Sequence, residues 1–351
     1  MKVLVLTRYS RLGASSRYRM FQYLPLLKKN CWQIEVHCLL GDNYINALYG
    51  KTSFPYLELI KSYLERIWLL LRKEKYDLIW LQQEALPWIP SFVEKFLLSG
   101  KIPIVVDYDD AFFHRYDQHK NLFIKFFLRK KINRIMEISS AVVVCNNYLA
   151  QRAKDSKAKS VELLPTVVDL DLYKIKTPNA KEIFTIGWVG SPHTAKYLDA
   201  IKPILTELIK DENVKVSILG SGKYDLPGAQ FIDWNEETEI ENIRTFDVGI
   251  MPLDNTSWER GKCGFKLIQY MACGIPVIAS PIEINAKIVN HRVNGFLAET
   301  LDGWKEYFKL LKDNVKLREE MGLQGRKTVE ENYTLEVNTP KLINILKSVL
   351  R

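Results

Sequence analysis

Long apolar runs are missing from this sequence. The longest candidates, such as Ile67-Trp68-Leu69-Leu70-Leu71, stop far short of the roughly 20 residues that cross a bilayer. A chain that spans the membrane is therefore excluded. Cysteine is scarce as well: there are five, Cys31, Cys38, Cys145, Cys263 and Cys273, with no CxxC pair among them. That excludes a disulfide-built scaffold and offers no metal-type ligand spacing, so thiols of a reducing compartment in mostly apolar surroundings are expected. The opening Met1 to Arg8 is apolar for too short a stretch and lacks a small-residue cleavage site, which reads as a first strand and not as a signal peptide. A cytoplasmic location is the expectation. No repeat of fixed period is visible, and the basic residues are spread out without a known binding module, so nucleic acid is not an expected partner.

What is present is an average soluble composition, 47% hydrophobic and 26% charged over 351 residues. That length suits two domains of about 150 to 180 residues each. Fifty basic residues against 41 acidic ones leave a net charge of +9, which attracts something anionic, such as phosphorylated ligands or an acidic membrane surface.

Short β-rich runs alternate with segments of helical period. In the first half strands are expected at about 2–7, 34–40, 76–81, 102–107, 141–145 and 161–164, and in the second at about 184–189, 215–220, 229–232, 247–251 and 276–280. A first helix is predicted with Ser15 or Ser16 as its cap and Met20, Tyr23, Leu24 and Leu27 as one apolar stripe. Later helices are expected at about 194–210, 236–244, 264–273, 302–312, 315–331 and 340–350. Strand and helix repeated in this way predict an α/β fold with parallel sheets covered on both faces. The pattern breaks after Pro165, giving a first domain of residues 1–165, a linker over 166–181, a second domain over 182–338 and a last helix over 339–351 that crosses back toward the first domain. The default ligand site is the cleft where the carboxyl ends of the two sheets face each other.

The most informative stretch is Asp247 to Ser280. It reads as a strand, a loop with Lys262 and Gly264, a short helix carrying Phe265, Lys266 and Gln269 and ended by Gly274 and Pro276, and a second buried strand. A helix starting near Gly264 aims free N–H groups and the positive end of its dipole at the loop, where Lys262 and Lys266 add charge. That chemistry suits a phosphate. Gln269, one turn on, is placed to hydrogen-bond a sugar hydroxyl, or is simply a solvated helix residue.

Gln269-Tyr-Met-Ala-Cys-Gly-Ile-Pro-Val277 resembles the signature of the retaining glycosyltransferases of family 4, whose GT-B fold has two Rossmann-like domains. In that family a Glu, seven residues and a second Glu precede the Pro-Val strand; here Gly261 stands in the first place and Gln269 in the second, with Glu259 two residues from Gly261. The resemblance implies that Gln269 holds the nucleotide ribose. The family's phosphate clamp, an Arg after a Val-Gly strand end and a Lys five or six residues later, corresponds to Gly190, Ser191 and Lys196, with Thr194 between them. Lys262 and Lys266 are the candidates to replace the lost Arg. Ser191, His193 and Thr194 are expected to cap the following helix as well. Glu283 lies in a loop that this family points at the donor. In the first half, Gly13 sits in a loop similar to the one that closes over the donor, and Arg17 and Arg19 follow it, ready for donor or anionic acceptor.

The run Asp107-Tyr-Asp109-Asp110 follows an apolar strand. In the other large glycosyltransferase fold, GT-A, Asp-x-Asp binds a metal, so that fold is the structural rival. In the GT-B family a His ends this strand; Asp109 replaces it by position, as a group that orients the acceptor or takes its proton, with Asp110 as a helix cap or second acceptor contact and His114 as a substitute. The resemblance requires no strong protein nucleophile, no metal and no cofactor beyond the nucleotide sugar. From Arg115 to Met136, aromatic and aliphatic residues interleave with Lys125, Arg129, Lys130, Lys131 and Arg134, and Phe54 to Lys75 has similar character. Such helices either rest on an anionic leaflet or form a core edge.

These features together predict a retaining hexosyl- or N-acetylhexosaminyltransferase that uses a nucleotide diphosphate sugar. Its acceptor is expected to be a glycan or a lipid-linked sugar, as in bacterial surface polysaccharide assembly, reached at the inner face of the cell membrane. The alternatives are a nucleotide-sugar epimerase of the same fold and a degenerate glycan- or nucleotide-binding scaffold.

Overall fold

The computed structural model describes residues 1–50, 52–176 and 183–350. Its first part runs β1 (Lys2–Tyr9), α1 (Ala14–Arg19), α2 (Leu24–Lys29), β2 (Gln33–Leu40), α3 (Asp42–Leu48), α4 (Tyr56–Leu71), β3 (Leu78–Gln82), α5 (Ser91–Leu98), β4 (Ile104–Tyr108), α6 (His114–Asp117), α7 (Leu122–Leu128), α8 (Lys131–Ile138), β5 (Ala141–Val144), α9 (Asn147–Asp155) and β6 (Val161–Leu163). The second runs β7 (Phe184–Val189), α10 (Lys202–Leu208), β8 (Val214–Leu219), β9 (Gln230–Ile232), α11 (Glu239–Arg244), β10 (Val248–Met251), α12 (Phe265–Ala272), β11 (Val277–Ala279), α13 (Glu283–Ile288), β12 (Gly295–Leu297), α14 (Leu301–Asp313), α15 (Val315–Asn332) and α16 (Leu335–Ser348).

Two six-stranded parallel sheets result, ordered β2-β1-β3-β4-β5-β6 and β12-β11-β10-β7-β8-β9. The α/β architecture with two Rossmann-like sheets is as the sequence predicts, and the GT-A alternative falls. Strands such as Leu78-Ile-Trp-Leu-Gln82 and Ala141-Val-Val-Val144 are buried along their whole length, as strands covered on both faces must be. Each sheet changes direction beside its first strand, between β1 and β3 and between β7 and β10. The carboxyl ends at such switch points are where open α/β sheets bind ligands.

Two units emerge. The first comprises residues 1–166, Gly261–Cys263 and Asn338 onward, and the second Val167–Arg260 and Gly264–Val337. Of the expected linker, Thr166 belongs to the first unit and the rest of the described part to the second: Val168 bridges to Thr334, Tyr173 is buried, and Lys176 pairs with Asp247 at 2.5 Å. The remainder, from residue 177, lies outside the described residues. The last helix starts at Leu335, five residues earlier than expected, with Pro340 inside it.

Two expected helices are broken, each at a proline. Met20, Tyr23, Leu24 and Leu27 are buried as predicted, but α1 ends at Arg19 and α2 carries Pro25 in its first turn. A continuous helix would drive the Pro25 ring into the Phe21 carbonyl. Pro203 likewise separates α10 from a 3-10 stretch, Ala195–Ile201. Neither Ser15 nor Ser16 caps α1; Gly13 occupies that position without a side-chain bond. β12 went unforeseen.

Candidate functional site

In the first unit, polar side chains gather where β1, β3 and β4 end. Ser16 Oγ accepts from the Tyr9 N–H at 3.0 Å and donates to Gln82 Oε1 at 2.7 Å, which fixes α1 over the strand ends. Asp109 accepts from Ser15 Oγ and, at 3.2 Å, from Gln83 Nε2. Gln83 is fully buried and its backbone is left-handed, with φ of 62°. A strained non-glycine residue of this kind marks a place where surroundings override local preference. Beneath it, Glu84 is buried among Arg8 at 2.9 Å, Lys131 at 3.1 Å and the Tyr116 hydroxyl at 2.8 Å. The sequence reading missed Gln82, Gln83 and Glu84, although a polar triplet directly after an apolar strand was the signal.

Asp110 pairs with Lys262 at 2.8 Å, and its other oxygen accepts the Ala111 N–H at 2.9 Å. Burial raises the Asp110 carboxyl and Lys262 opposes that; burial lowers the Lys262 ammonium, but Asp110 overrides it and the net direction is up. Lys262, expected beside Lys266 at a phosphate, is thus held in the first unit, where its carbonyl also accepts from Asn146. The same loop explains the absent first Glu. A Cβ on Gly261 would lie 2.4 Å from Ala111 Cβ and 2.7 Å from its backbone nitrogen.

Three expected acceptor contacts need correction. Arg19 is 1% exposed and forks onto both Asp107 oxygens at 2.8 and 3.0 Å, with a further bond to the Leu164 carbonyl. Burial pulls its pKa down, and Asp107 more than restores it. It is a structural cation that ties β4 to the segment after β6. Arg17 is also buried, and it donates to the Arg11 and Leu12 carbonyls of its own loop. His114 lies between Asp117 and the Tyr148 hydroxyl, both at 2.8 Å, so both ring nitrogens are engaged by the protein itself and not by a substrate hydroxyl. The glycine at 13 is required by the Tyr9 side chain, 2.4 Å from where a Cβ would stand.

In the second unit, the residues expected at a phosphate gather around α12. Gly264 precedes the helix with φ of 68°, and a Cβ there would meet Ile288 at 2.5 Å, so both backbone and space demand glycine. Lys266 places its ammonium 4.3 Å from the centre of the Trp188 ring near the end of β7. The Tyr270 hydroxyl accepts from the Val189 N–H at 2.8 Å, docking the helix on the same strand end. Gly190 follows, with the Trp188 ring 2.3 Å from where its Cβ would stand, and a Cβ on Gly220, after β8, would come as close to the Gly190 carbonyl. Ser191 and Thr194 bond one another, the Ser191 N–H to Thr194 Oγ1 at 3.0 Å, closing a turn in place of the expected side-chain cap. Lys196 is exposed beside Tyr197, 5.1 Å from its ring centre.

Gln269 is not solvated: it is 3% exposed and donates to the Tyr173 hydroxyl at 3.0 Å. Phe265, one turn earlier, is partly buried against the core. Glu259 is buried too and accepts from Tyr197 at 2.5 Å and from Thr256. Burial raises its carboxyl, but those hydrogen bonds and the charge of Lys196 outweigh it and hold it below the usual range. Glu283 is exposed at the start of α13 with φ of 35°, and its neighbour Ile284 packs beside Gly264.

The family described as glycosyl transferases group 1 matches residues 183–313, and Glycosyltransferase Family 4 matches residues 38–172. The chain is a GT-B glycosyltransferase. Among solved structures, this glycosyltransferase is similar to sucrose-phosphate synthase from Thermosynechococcus elongatus, with 13% identity, a TM-score of 0.72 and 99% of each chain covered. A glycosyltransferase from Rickettsia africae gives 15% identity and a TM-score of 0.71, covering 100% of this chain and 98% of that one. HepE of Anabaena, solved in complex with UDP-glucose, gives 15% and 0.67, covering 99% of this chain and 100% of that one. No curated protein sequence matches. Among the described residues, no helix of this glycosyltransferase is long and apolar enough to cross a membrane.

Proposed function

We propose that this glycosyltransferase moves a hexose or N-acetylhexosamine from a nucleoside diphosphate sugar to a glycan or lipid-linked acceptor, with the anomeric configuration retained and with neither metal nor cofactor. The reading belongs to bacterial surface polysaccharide assembly at the inner face of the cell membrane. One observation carries it: the α12 N-terminus, opened by Gly264, stands with the Lys266 ammonium over Trp188 at the end of β7. The positive end of a helix dipole and a nearby cation are what a diphosphate leaving group requires. In this reading Lys266, Lys196 and the Gly190–Ser191 backbone take the diphosphate, Gln269 takes the ribose, and Glu283 the sugar hydroxyls. Asp109, aligned by Ser15 and Gln83, is assigned to the acceptor hydroxyl in the first unit, with Asp110 poised by Lys262. The UDP-glucose complex of HepE supports a uridine diphosphate donor.

Thermal unfolding with UDP, GDP, ADP, dTDP and CMP, each in magnesium and in EDTA, tests this. A ligand at a hundred times its Kd stabilises by about 2.7 kcal/mol, a shift of several degrees. A shift with UDP that is equal in EDTA is the expected result. A shift seen only with magnesium refutes the metal-free reading, and no shift with any nucleotide refutes donor binding.

A further inference from the structure

Helix α4 is apolar on two opposite faces. Leu69 and Leu70 are buried on one, and on that side Arg66 is locked by bonds to His37 Nδ1 at 2.9 Å, the His37 carbonyl at 2.8 Å and the Thr7 carbonyl at 2.9 Å. The other face carries Leu57, Ile60, Leu64, Trp68 and Leu71, each between 54 and 84% exposed. Their spacings of three, four, four and three residues make one stripe. Arg66 fixes the rotation of the helix, so the stripe cannot turn inward.

The neighbouring helices continue it. Phe92 and Phe96, one turn apart on α5, are each 72% exposed, and Leu122, Phe123, Phe126 and Phe127 on α7 are between 64 and 76% exposed. Helix α5 packs against both α4 and α8, and α7 leads into α8 through only Arg129 and Lys130. The inner sides of α4, α5 and α8 share one core cluster, so all three cover the same face of the sheet. Among the described residues, ten large apolar side chains are at least 60% exposed; nine of them lie on α4, α5 and α7 and one, Leu172, does not. A concentration of that kind is a contact surface and not scattered exposure.

Charge decides the occupant. Residues 118–136 contain no acidic residue, while Lys120, Lys125, Arg129, Lys130 and Arg134 are exposed there. Lys131, which the sequence placed with them, is buried with Glu84 and Glu94. Arg72, directly after α4, lies over the Trp68 ring at 4.1 Å from its centre, an amphipathic pair suited to the headgroup level. We infer that α4, α5 and α7 form one docking face that lies in the surface of an anionic bilayer, the aromatic residues at the acyl boundary and the cations among the headgroups. Because α4, α5 and the α6–α7 segment leave the carboxyl ends of β2, β3 and β4, the near edge of this face adjoins the strand ends that carry Gln83 and Asp109. The reacting group of the acceptor is then one held at headgroup depth. This last step alone rests on the proposed transfer reaction.

Flotation of the whole protein with vesicles tests the face. Binding to phosphatidylcholine vesicles rich in phosphatidylglycerol, absent with phosphatidylcholine alone and weakened by salt, is expected. The double change Phe123→Ser with Phe126→Ser should lower it by about a hundredfold, while the UDP-dependent thermal shift of the same protein stays intact. A variant that loses vesicles but keeps the UDP shift shows that folding is not the cause. Equal binding to neutral and anionic vesicles, or none to either, overturns the inference. So does a dimer in sedimentation that these changes abolish without any vesicle binding, which assigns the face to a second copy. Vesicle binding without a UDP shift leaves the docking face standing and sinks the reaction.

Discussion

Replacing Lys266 with Ala separates its two roles. The ammonium lies over the Trp188 ring at 4.3 Å and is partly buried. Losing that contact removes about 0.5 to 1 kcal/mol, which appears as a small fall in Tm without ligand. If the same ammonium also meets the diphosphate, the variant loses a hydrogen bond between charged groups worth about 1.5 to 3 kcal/mol, or roughly 10- to 150-fold in Kd. Lys266→Arg keeps the charge and the ring contact, so it should recover most of the affinity. Titration calorimetry with UDP in EDTA reads this directly. A Kd for Lys266→Ala within about threefold of the parent would mean that the residue does not meet the diphosphate, because one kcal/mol already moves a constant by more than that. The diphosphate assignment would then fail, while the family membership would stand.

Asp109→Ala should leave UDP affinity unchanged and lower turnover by about a hundredfold, within the usual range for a positioned acid or base; equal turnover in a radiolabelled-sugar transfer assay would remove Asp109 from the chemistry. Gly261→Ala forces a methyl group against the Ala111 backbone and should cost about 1 to 3 kcal/mol of stability by denaturant titration, whereas an unchanged midpoint would show that the loop yields. His37 accepts from Arg66 through Nδ1, and burial, then the Arg66 charge, lowers its pKa to about 4. Between that value and the ordinary ~6.5 the unfolded chain takes up a proton that the folded one refuses, so stability falls as pH drops through this window, by about 1 to 2 kcal/mol once solvent screening of this half-buried ring is allowed for. His37→Gln should flatten that slope in urea titrations, and an unaltered slope would assign it to other groups.

The sequence made the strands and the glycine-led α12 legible because both rest on local patterns: continuous apolar runs, and a glycine before a helix. It also marked Gly264, Lys266 and Gln269 as one local group, since they sit within one turn and a half. What it hid depends on distance along the chain. Arg19 looks like a surface cation until Asp107, 88 residues away, is found to hold it. Lys262 looks like a partner of Lys266 until Asp110 is seen to take it, and Lys131 looks like a rim cation until Glu84 and Glu94 enclose it. In each case a lone charge was read by its neighbours in sequence, and burial had already chosen another partner. The exposed aromatic residues of α7 were visible, but Phe92 and Phe96 were too few on their own to announce that they continue the same surface.

The way the backbone is shared between the units bears on how this protein can be cut or recombined. The first unit is assembled from three separate stretches, the second from two. A fragment ending at residue 166 therefore lacks both the Gly261–Cys263 segment and the buried Leu342 and Leu346 of the final helix. It should express as an aggregating remnant and not as a working half. Chimeras that exchange the first unit between such enzymes must carry the tail and the short inner loop along with the N-terminal portion, or the grafted half will be left incomplete.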